Sequence, residues 1–284
     1  MAKKKILYLY EKNQKSGFGH FSRSKNYFEY LRNFFNITLT NFNNFSYLNK
    51  KQNFDLYIFD LKKYELKFFI RNKLFDKSIT FDNFNNICSI INISIFDHNP
   101  KIGGNRLKGN KFVYINPKKF LQFKKKNDKK KQIFISIGSE DKKNLLPRII
   151  NKLKKEKINY DFKIHLPTIK KKINKTNQVK YLKDFFESEY CIVNGGMTMI
   201  EAIFLKKKCI IIPQTKYEKK FAEYLKKEKI INHIGLHEIK KLNYLKKITK
   251  RRKKLGFENR GNYHFKKVIN SILTKNSIMR KNVS

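Results

Sequence analysis

Short apolar runs alternate with helical patterns along the first half of the chain. Runs of this kind are typical of buried strands, whereas apolar residues spaced three and four positions apart indicate amphipathic helices. The predicted strands are Ile6–Tyr10, Ile37–Leu39, Asp55–Asp60, Lys77–Asp82 and Lys111–Ile115, and the predicted helices are about His20–Phe34 and Tyr64–Asn72. Strands that alternate with helices predict parallel βαβ units.

The same pattern restarts after a Lys-rich segment, Phe123–Lys131, which lacks apolar periodicity. We interpret this segment as a linker, with a solvated helix end as the alternative. The strands predicted beyond it are Gln132–Ile137, Phe162–His165, Tyr190–Val193 and Cys209–Ile212, and the helices are about 142–155, 184–187, 197–205 and 216–227. The sequence thus predicts an α/β protein with two Rossmann-like domains, residues 1–126 and 127–284. Ligands bind such sheets at the carboxyl ends of the strands, so we expect the site in the cleft between the domains.

A glycine-rich segment, Gly17-Phe-Gly-His-Phe-Ser-Arg23, follows the first predicted strand. Glycines permit backbone conformations that other residues resist, and the segment opens a helix, whose N-terminus favours anions. A histidine at this position can act as a general base near neutral pH. The segment predicts a catalytic base at His20 and substrate binding by Gly17, Gly19 and Arg23. A glycine turn with a capping histidine is the alternative.

A second segment, Asn194-Gly-Gly-Met-Thr-Met-Ile-Glu201, lies between a predicted strand and a predicted helix. Gly195 and Gly196 would let a pyrophosphate approach backbone amides. Thr198 can donate a hydrogen bond to a phosphate, and Glu201 can accept hydrogen bonds from ribose hydroxyls. The alternative is a tight turn in which Thr198 and Glu201 form a capping box.

Three further strand ends carry polar residues. Gly138, Ser139 and Asp141 follow the first strand of the second half and neighbour the Gly195–Gly196 turn in the predicted sheet, although Ser and Asp are also ordinary N-caps. Asp60 and Asp82 each end an apolar strand of the first half. Carboxylates at such ends often face a ligand, so we predict substrate binding by Asp82 and a catalytic contribution from Asp60, which would orient His20 or the substrate. Each aspartate could equally be a helix N-cap.

Composition narrows the function classes only slightly. The chain has 66 Lys and Arg against 22 Asp and Glu, a net charge of +44, and such a charge suggests a nucleic-acid partner or an anionic surface. However, the enriched residue types, including Lys, Asn, Ile and Phe, all have AT-rich codons, so genome drift toward AT explains the profile with one cause. We expect no specific nucleic-acid partner and keep a basic nucleic-acid-binding protein as an alternative function. A positive surface also favours anionic nucleotides and permits weak contact with anionic membranes.

No apolar run reaches the roughly 18 residues of a membrane span, and the run after Met1–Lys5 is too short for a signal peptide. We therefore expect a cytoplasmic protein. The three cysteines form no C-x-x-C pair, and their odd number argues against a disulfide framework. No cluster has metal-ligand spacing, and we expect neither a metal nor a cofactor.

Together these segments resemble the UDP-sugar hydrolases of the pseudaminic acid pathway, the related spore-coat polysaccharide proteins and, more distantly, the peptidoglycan N-acetylglucosaminyltransferase. The matching stretches are Gly17–Arg23, Asp60, Phe81-Asp82, Gly109–Tyr114, Ile137–Asp141 with Asn144-Leu145, and Gly195–Glu201. The resemblance implies a GT-B fold that holds UDP mainly through the second domain. It also implies metal-independent hydrolysis that releases UDP from a diacetamido-trideoxy sugar. In this resemblance His20 matches the proposed catalytic base, and Thr198 and Glu201 lie in the nucleotide-binding stretch.

The sequence departs from that family at two places. The hydrolases carry Asp-x-Tyr after the third strand, whereas this chain has Asp60-Leu-Lys and places Tyr64 two positions later. They also carry Asn-Gln before a later helix, where this chain has Tyr217-Glu218, which makes Glu218 a candidate substrate-binding residue. A glycosyltransferase that uses a UDP-sugar donor therefore stays open as an alternative to a hydrolase.

Overall fold

The computed structural model describes most of the chain as two compact units. The first comprises Met1–Tyr114 with Gly256–Ser284, and the second is Ile115–Leu255. The described residues are 3–11, 19–61, 64–82, 91–95, 106–108, 110–121, 123, 130–138, 141, 143–165, 175–243 and 259–281. Among these residues, no helix combines the length and the apolar character that crossing a bilayer requires.

Each unit is built on one parallel sheet. The strands in chain order are β1 (Lys5–Tyr10), β2 (Asn36–Asn41), β3 (Leu56–Asp60), β4 (Ser78–Phe81), β5 (Ile91–Ser94), β6 (Arg106–Lys108), β7 (Lys130–Ser136), β8 (Asp161–Ile164), β9 (Ser188–Val193), β10 (Lys208–Ile211) and β11 (His233–Ile234). The first sheet has the order β2-β1-β3-β4-β5-β6 and the second the order β11-β10-β9-β7-β8. All of the neighbouring strands pair in parallel. The chain therefore has the predicted α/β architecture with two Rossmann-like sheets.

Helices follow most of the strands, as parallel connections require. They are α1 (Gly19–Leu31), α2 (Phe45–Lys51), α3 (Leu66–Arg71), α4 (Lys118–Leu121), α5 (Leu145–Lys155), α6 (Lys175–Glu187), α7 (Met197–Phe204), α8 (Lys216–Lys227) and α9 (Gly261–Lys281). Short 3-10 helices lie at Phe42–Asn44, Phe75–Lys77, Asn110–Phe112 and Leu236–Asn243.

The cores form because helices cover both faces of each sheet. In the first unit, an aromatic cluster around Phe59 packs α2 and α3 on one face, where the Phe45 and Phe68 rings lie 4.9 Å apart. In the second unit, aliphatic residues of β7, β9 and β10 pack against the apolar face of α5. The central strands are consequently almost uniformly apolar, which is why their sequences predict them well.

Each sheet also has a point where the strand order reverses. The chain passes from β1 to β2 on one side and then to β3 on the other, and likewise from β7 to β8 and then to β9. Ligands of open parallel sheets bind outside the carboxyl ends of the strands at such reversals. Ligand-binding residues are therefore expected after β1 and β3 in the first sheet, and after β7 and β9 in the second.

The predicted strand Lys111–Ile115 is wrong. Asn110–Phe112 is a 3-10 helix, and the segment after it lies under α9. The Val113 carbonyl accepts a hydrogen bond of 3.2 Å from the Gly261 amide, and a Cβ on Gly261 would come within 2.3 Å of the same oxygen. The Val113 carbonyl therefore bonds to the start of α9 and not to a neighbouring strand.

The two units also differ from the predicted domain ranges, 1–126 and 127–284. The first unit ends at Tyr114, and α9 belongs to it because the Phe265 ring lies 4.8 Å from Tyr27 and 5.2 Å from Phe81. In the second unit, α4 packs through Phe120 against Phe185 of α6, 6.3 Å away. Most of the predicted linker lies outside the described residues.

Candidate functional site

Four of the predicted site residues meet in the first unit. Asp60 ends β3 and Asp82 follows the neighbouring β4, while His20 and Arg23 lie near the start of α1, which follows β1. Residues three positions apart share one face of a helix, so both α1 side chains reach the aspartates. The sequence places these residues at the strand reversal, and the structure brings them into direct contact.

Arg23 is the centre of this cluster and is only 4% exposed. Its Nε donates to Asp60 Oδ2 at 2.8 Å and its Nη2 donates to Asp60 Oδ1 at 2.6 Å, which is a bidentate pair. Its Nη1 donates to Asp82 Oδ2, and the guanidinium carbon lies 4.9 Å from the centre of the Phe81 ring. One cation therefore joins two buried strand ends.

Asp82 is fixed from several sides. Its backbone has a φ of 49°, a left-handed conformation that aspartate tolerates better than most residues. Its amide donates to the Ile93 carbonyl at 2.9 Å, and its Oδ1 accepts from the Ile95 amide at 2.8 Å. Asp82 therefore serves to hold Arg23 at the end of β5 as well as of β4.

His20 connects the cluster to solvent, because its side chain is 20% exposed whereas Asp60 is fully buried. Its Nδ1 lies 2.6 Å from Asp60 Oδ1. Burial by itself raises the pKa of Asp60, but Arg23 and His20 outweigh it and hold that pKa below its ordinary value. An ionised carboxylate only accepts hydrogen bonds, so the proton of neutral His20 sits on Nδ1. The lone pair of Nε2 is then the basic site.

Tyr64 lies two positions too far along the sequence to match the hydrolase pattern. Its hydroxyl bonds to backbone groups of the same unit. Its hydroxyl lies 2.9 Å from the Phe59 carbonyl and 2.6 Å from the Phe81 carbonyl, and it accepts from the Leu61 amide at 3.1 Å. The hydroxyl therefore joins the carboxyl ends of β3 and β4. Burial raises the pKa of Tyr64 well above its ordinary value, and Asp60 adds to this.

The low pKa of Asp60 predicts a contribution to acid stability. A carboxyl group with a lower pKa in the folded than in the unfolded state stabilises the fold above its unfolded value, about 3.9, and the contribution is lost as pH falls through the folded value. Asp60→Asn should therefore be destabilised at pH 7, and its difference from the wild type should shrink below about pH 4. Urea unfolding at several pH values measures this. Asp161→Asn, at an exposed carboxyl group of β8, should show no such convergence.

In the second unit the predicted residues surround the ends of β7 and β9. Gly138 follows β7 with a φ of 91°, and the amide nitrogen of the Asn194 side chain would lie 3.1 Å from a Cβ at this position. A Cβ on Gly195 would lie 2.6 Å from Glu218 Cβ and 3.0 Å from the Glu218 carbonyl oxygen. Gly195 is thus required for packing against α8.

Two of the candidate residues cap helices. Asp141 accepts hydrogen bonds from the Leu145 and Leu146 amides at 2.6 and 2.8 Å, at the start of α5. Glu218 and Thr215 form a capping box at the start of α8, and Glu218 also accepts from the Asn194 side chain at 2.8 Å. Both carboxylates occupy backbone donors that an anionic ligand would otherwise use. They support the loops around the site more than they offer contacts to a ligand.

The start of α7 differs from those two helix ends. Its N-cap is Gly196, and among the described residues no side-chain hydrogen bond caps the helix start. Thr198 and Glu201 do not form the capping box that the sequence allowed, since Thr198 Oγ1 lies 3.1 Å from the Tyr181 hydroxyl and Glu201 Oε1 accepts from Lys119 Nζ at 2.6 Å. An uncapped helix N-terminus at a strand reversal is well suited to bind a phosphate group.

Tyr181 and Lys119 are the residues that the sequence interpretation misses. The helical pattern places only about 184–187 in a helix, whereas α6 begins at Lys175 and includes Tyr181. Lys119 is 82 positions away from Glu201, and no local spacing connects them. Only knowledge of the fold class could have suggested that a residue near the start of the second unit packs beside α7.

Two predicted residues, Gly17 and Ser139, lie outside the described residues. Gly19 is described and begins α1, with open space around it. Within the described ranges, no three His, Cys, Asp or Glu side chains are grouped in a way that could hold a metal ion.

Comparisons with known proteins identify the fold. No family model matches the chain, and no curated protein matches it in sequence. Among solved structures, the glycotransferase of kitacinnamycin matches with a TM-score of 0.57 and 10% identity, over 96% of this chain and 100% of that one. The spinosyn rhamnosyltransferase SpnG, complexed with thymidine diphosphate, matches with a TM-score of 0.56 and 8% identity, over 98% and 100%. The spinosyn forosaminyltransferase SpnP gives 0.50 and 10%, over 100% and 95%. The chain thus has a GT-B-like fold, as predicted, and these likenesses support no specific family.

Proposed function

We propose that this chain is a glycosyltransferase that uses a nucleotide-sugar donor. The observation that carries the proposal is the His20–Asp60 pair, a base with an ionised partner at the strand reversal of a GT-B-like fold. The structures that the chain resembles are sugar transferases, and one of them contains a nucleoside diphosphate. These likenesses support the transferase over the hydrolase that the sequence motifs favour.

In the proposed reaction His20 is the general base. Its Nε2 removes the proton from an acceptor hydroxyl while the oxygen forms a bond to the anomeric carbon of the donor sugar. The bond between that carbon and the diphosphate oxygen breaks, and its electron pair leaves with the nucleoside diphosphate. Asp60 keeps the imidazole in the reactive tautomer and stabilises the imidazolium that forms, as in other His–Asp pairs.

The second unit supplies the nucleotide site in this proposal. The uncapped amides of α7 and the Thr198 hydroxyl bind the diphosphate, because a helix N-terminus stabilises negative charge. Negative charge on the leaving diphosphate grows during the reaction, so donors held in place at this point also lower the barrier. We propose UDP as the nucleotide, following the resemblance of Gly195–Glu201 to the UDP-binding stretch.

Hydrolysis of the donor is the second candidate. The segment Gly17–Arg23 and the order of the other motifs resemble UDP-sugar hydrolases, and the same base would activate water in place of an acceptor hydroxyl. In that reaction the proton leaves a water molecule, and the free sugar is the product.

A turnover assay separates the two reactions. The protein is incubated with a panel of UDP-sugars and TDP-sugars, with and without sugar or lipid acceptors, and the released nucleoside diphosphate is measured. A transferase releases it only when an acceptor is present, and the sugar appears on that acceptor. Release at the same rate without any acceptor would establish the hydrolase instead. An absence of release from every donor would contradict both candidates.

A further inference from the structure

Tyr181 connects the proposed phosphate site to the core of the second unit. Its hydroxyl lies 3.1 Å from Thr198 Oγ1 and also forms a hydrogen bond with the Ser136 side chain. Ser136 ends β7, and Thr198 lies in the first turn of α7, which follows the neighbouring strand β9. The three hydroxyls therefore form a chain that runs from a strand end to the helix start beside it.

The ring of Tyr181 is held by packing on several sides. It meets Phe134 edge to face at 5.1 Å, stacks against Phe185 at 6.4 Å and lies 5.3 Å from the His165 ring. Because the ring is fixed in this way, its oxygen has one position, which is in the hydroxyl chain.

The direction of the hydrogen bonds in this chain decides what Thr198 can offer a ligand. Burial raises the pKa of Tyr181, and the Glu201 carboxylate adds to this, so the Tyr181 hydroxyl keeps its proton. A hydroxyl has one donor and two acceptor lone pairs. When Ser136 donates to Tyr181 and Tyr181 donates to Thr198, the proton of Thr198 is directed to the ligand. In the opposite direction that proton is used inside the unit, and Thr198 can only accept from the ligand.

A diphosphate selects the first of these directions, because its ionised oxygens accept hydrogen bonds. Hydrogen bonds that run one way along a chain also polarise one another, which strengthens the last bond. We propose that Tyr181 is a positioning residue that donates to Thr198 and thereby presents the Thr198 proton to the diphosphate of the donor. This inference rests on the proposed function and deepens it, since it identifies the group that makes Thr198 a donor.

The test is a double-mutant cycle on UDP binding, measured by titration calorimetry. Thr198→Val removes the hydroxyl and should weaken binding about 10-fold to 100-fold, the worth of a hydrogen bond to a charged group. Tyr181→Phe keeps the packed ring and should weaken binding about 3-fold to 10-fold, the net worth of one hydrogen bond. In the double variant the change at Tyr181 should have no further effect, because the hydroxyl on which it acts is already gone.

The cycle separates positioning from a general effect on the fold. If Tyr181 only stabilised the second unit, its replacement would weaken UDP binding by the same factor with and without the Thr198 hydroxyl. Tyr160→Phe is the matched control, at a half-buried tyrosine directly before β8, and it should leave UDP binding unchanged. Every variant should remain folded by circular dichroism, because no ring is removed.

Two results overturn the proposal. One is a Tyr181→Phe variant that binds UDP as tightly as the wild type, and the other is an equal loss of affinity in both Thr198 backgrounds. A wild type that does not bind UDP would instead contradict the proposed function, and this inference with it.

Discussion

Replacing His20 by Gln is expected to lower the turnover number about 10²- to 10⁴-fold, the usual worth of a general base. Gln can still donate to Asp60, but it has no basic nitrogen to take the proton of the acceptor. The affinity for the nucleotide should stay the same, because the proposed nucleotide contacts all lie in the second unit. Steady-state kinetics with the best donor and acceptor, together with calorimetry of UDP binding, measure the two effects.

The matched control is His237→Gln. His237 is 70% exposed and lies in a 3-10 helix of the second unit, and its replacement should leave the turnover number unchanged. If His20→Gln kept full activity, the assigned base would be wrong for both candidate reactions. If it lost nucleotide binding together with turnover, the division of functions between the two units would be wrong.

Replacing Arg23 by Met is expected to destabilise the protein by about 3–5 kcal/mol, the usual cost of removing one partner from a buried ion pair. Met fills a similar volume, so the loss reflects charge and hydrogen bonding more than a cavity. Asp60 would remain fully buried without its bidentate partner, and Asp82 would lose its contact with the guanidinium. Urea unfolding at pH 7 gives the difference in the free energy of unfolding.

Arg32→Met is the control for this variant. Arg32 directly follows α1, is 58% exposed and pairs with Glu29 at 3.1 Å. Exposed ion pairs of this kind contribute little to stability, so the free energy of unfolding should change by no more than about 0.5 kcal/mol. Equal effects at the two positions would show that the buried cluster around Arg23 does not stabilise the first unit.

The strands at the centre of each sheet are predictable because parallel strands buried on both faces must be apolar along their whole length. β1, β3, β7 and β9 all show such runs, and the prediction of each is confirmed. The GT-B-like fold follows from the repeat of this pattern in the second half. The contact of His20 with Asp60 is also within reach of the sequence, because Asp60 ends β3 and His20 lies at the start of the helix that follows β1, and these two places meet at the strand reversal.

The remaining features depend on contacts that no local pattern records. β5 and β6 are short strands of four and three residues at one side of the first sheet, too brief for periodicity to reveal. α9 belongs to the first unit only through rings such as Phe265 that meet Tyr27, far away in sequence. The pairing of Lys119 with Glu201 is equally distant, and the charge of Lys119 does not distinguish it among so many lysines.

A crystal structure of the complex with UDP is the most direct test of the proposal that this chain binds a nucleotide donor at the carboxyl ends of β7 and β9. We expect the diphosphate at the amides of the first turn of α7 and at Thr198, with the ribose hydroxyls at Glu201. UDP bound to the lysine-rich surface elsewhere, with the start of α7 unoccupied, would contradict it.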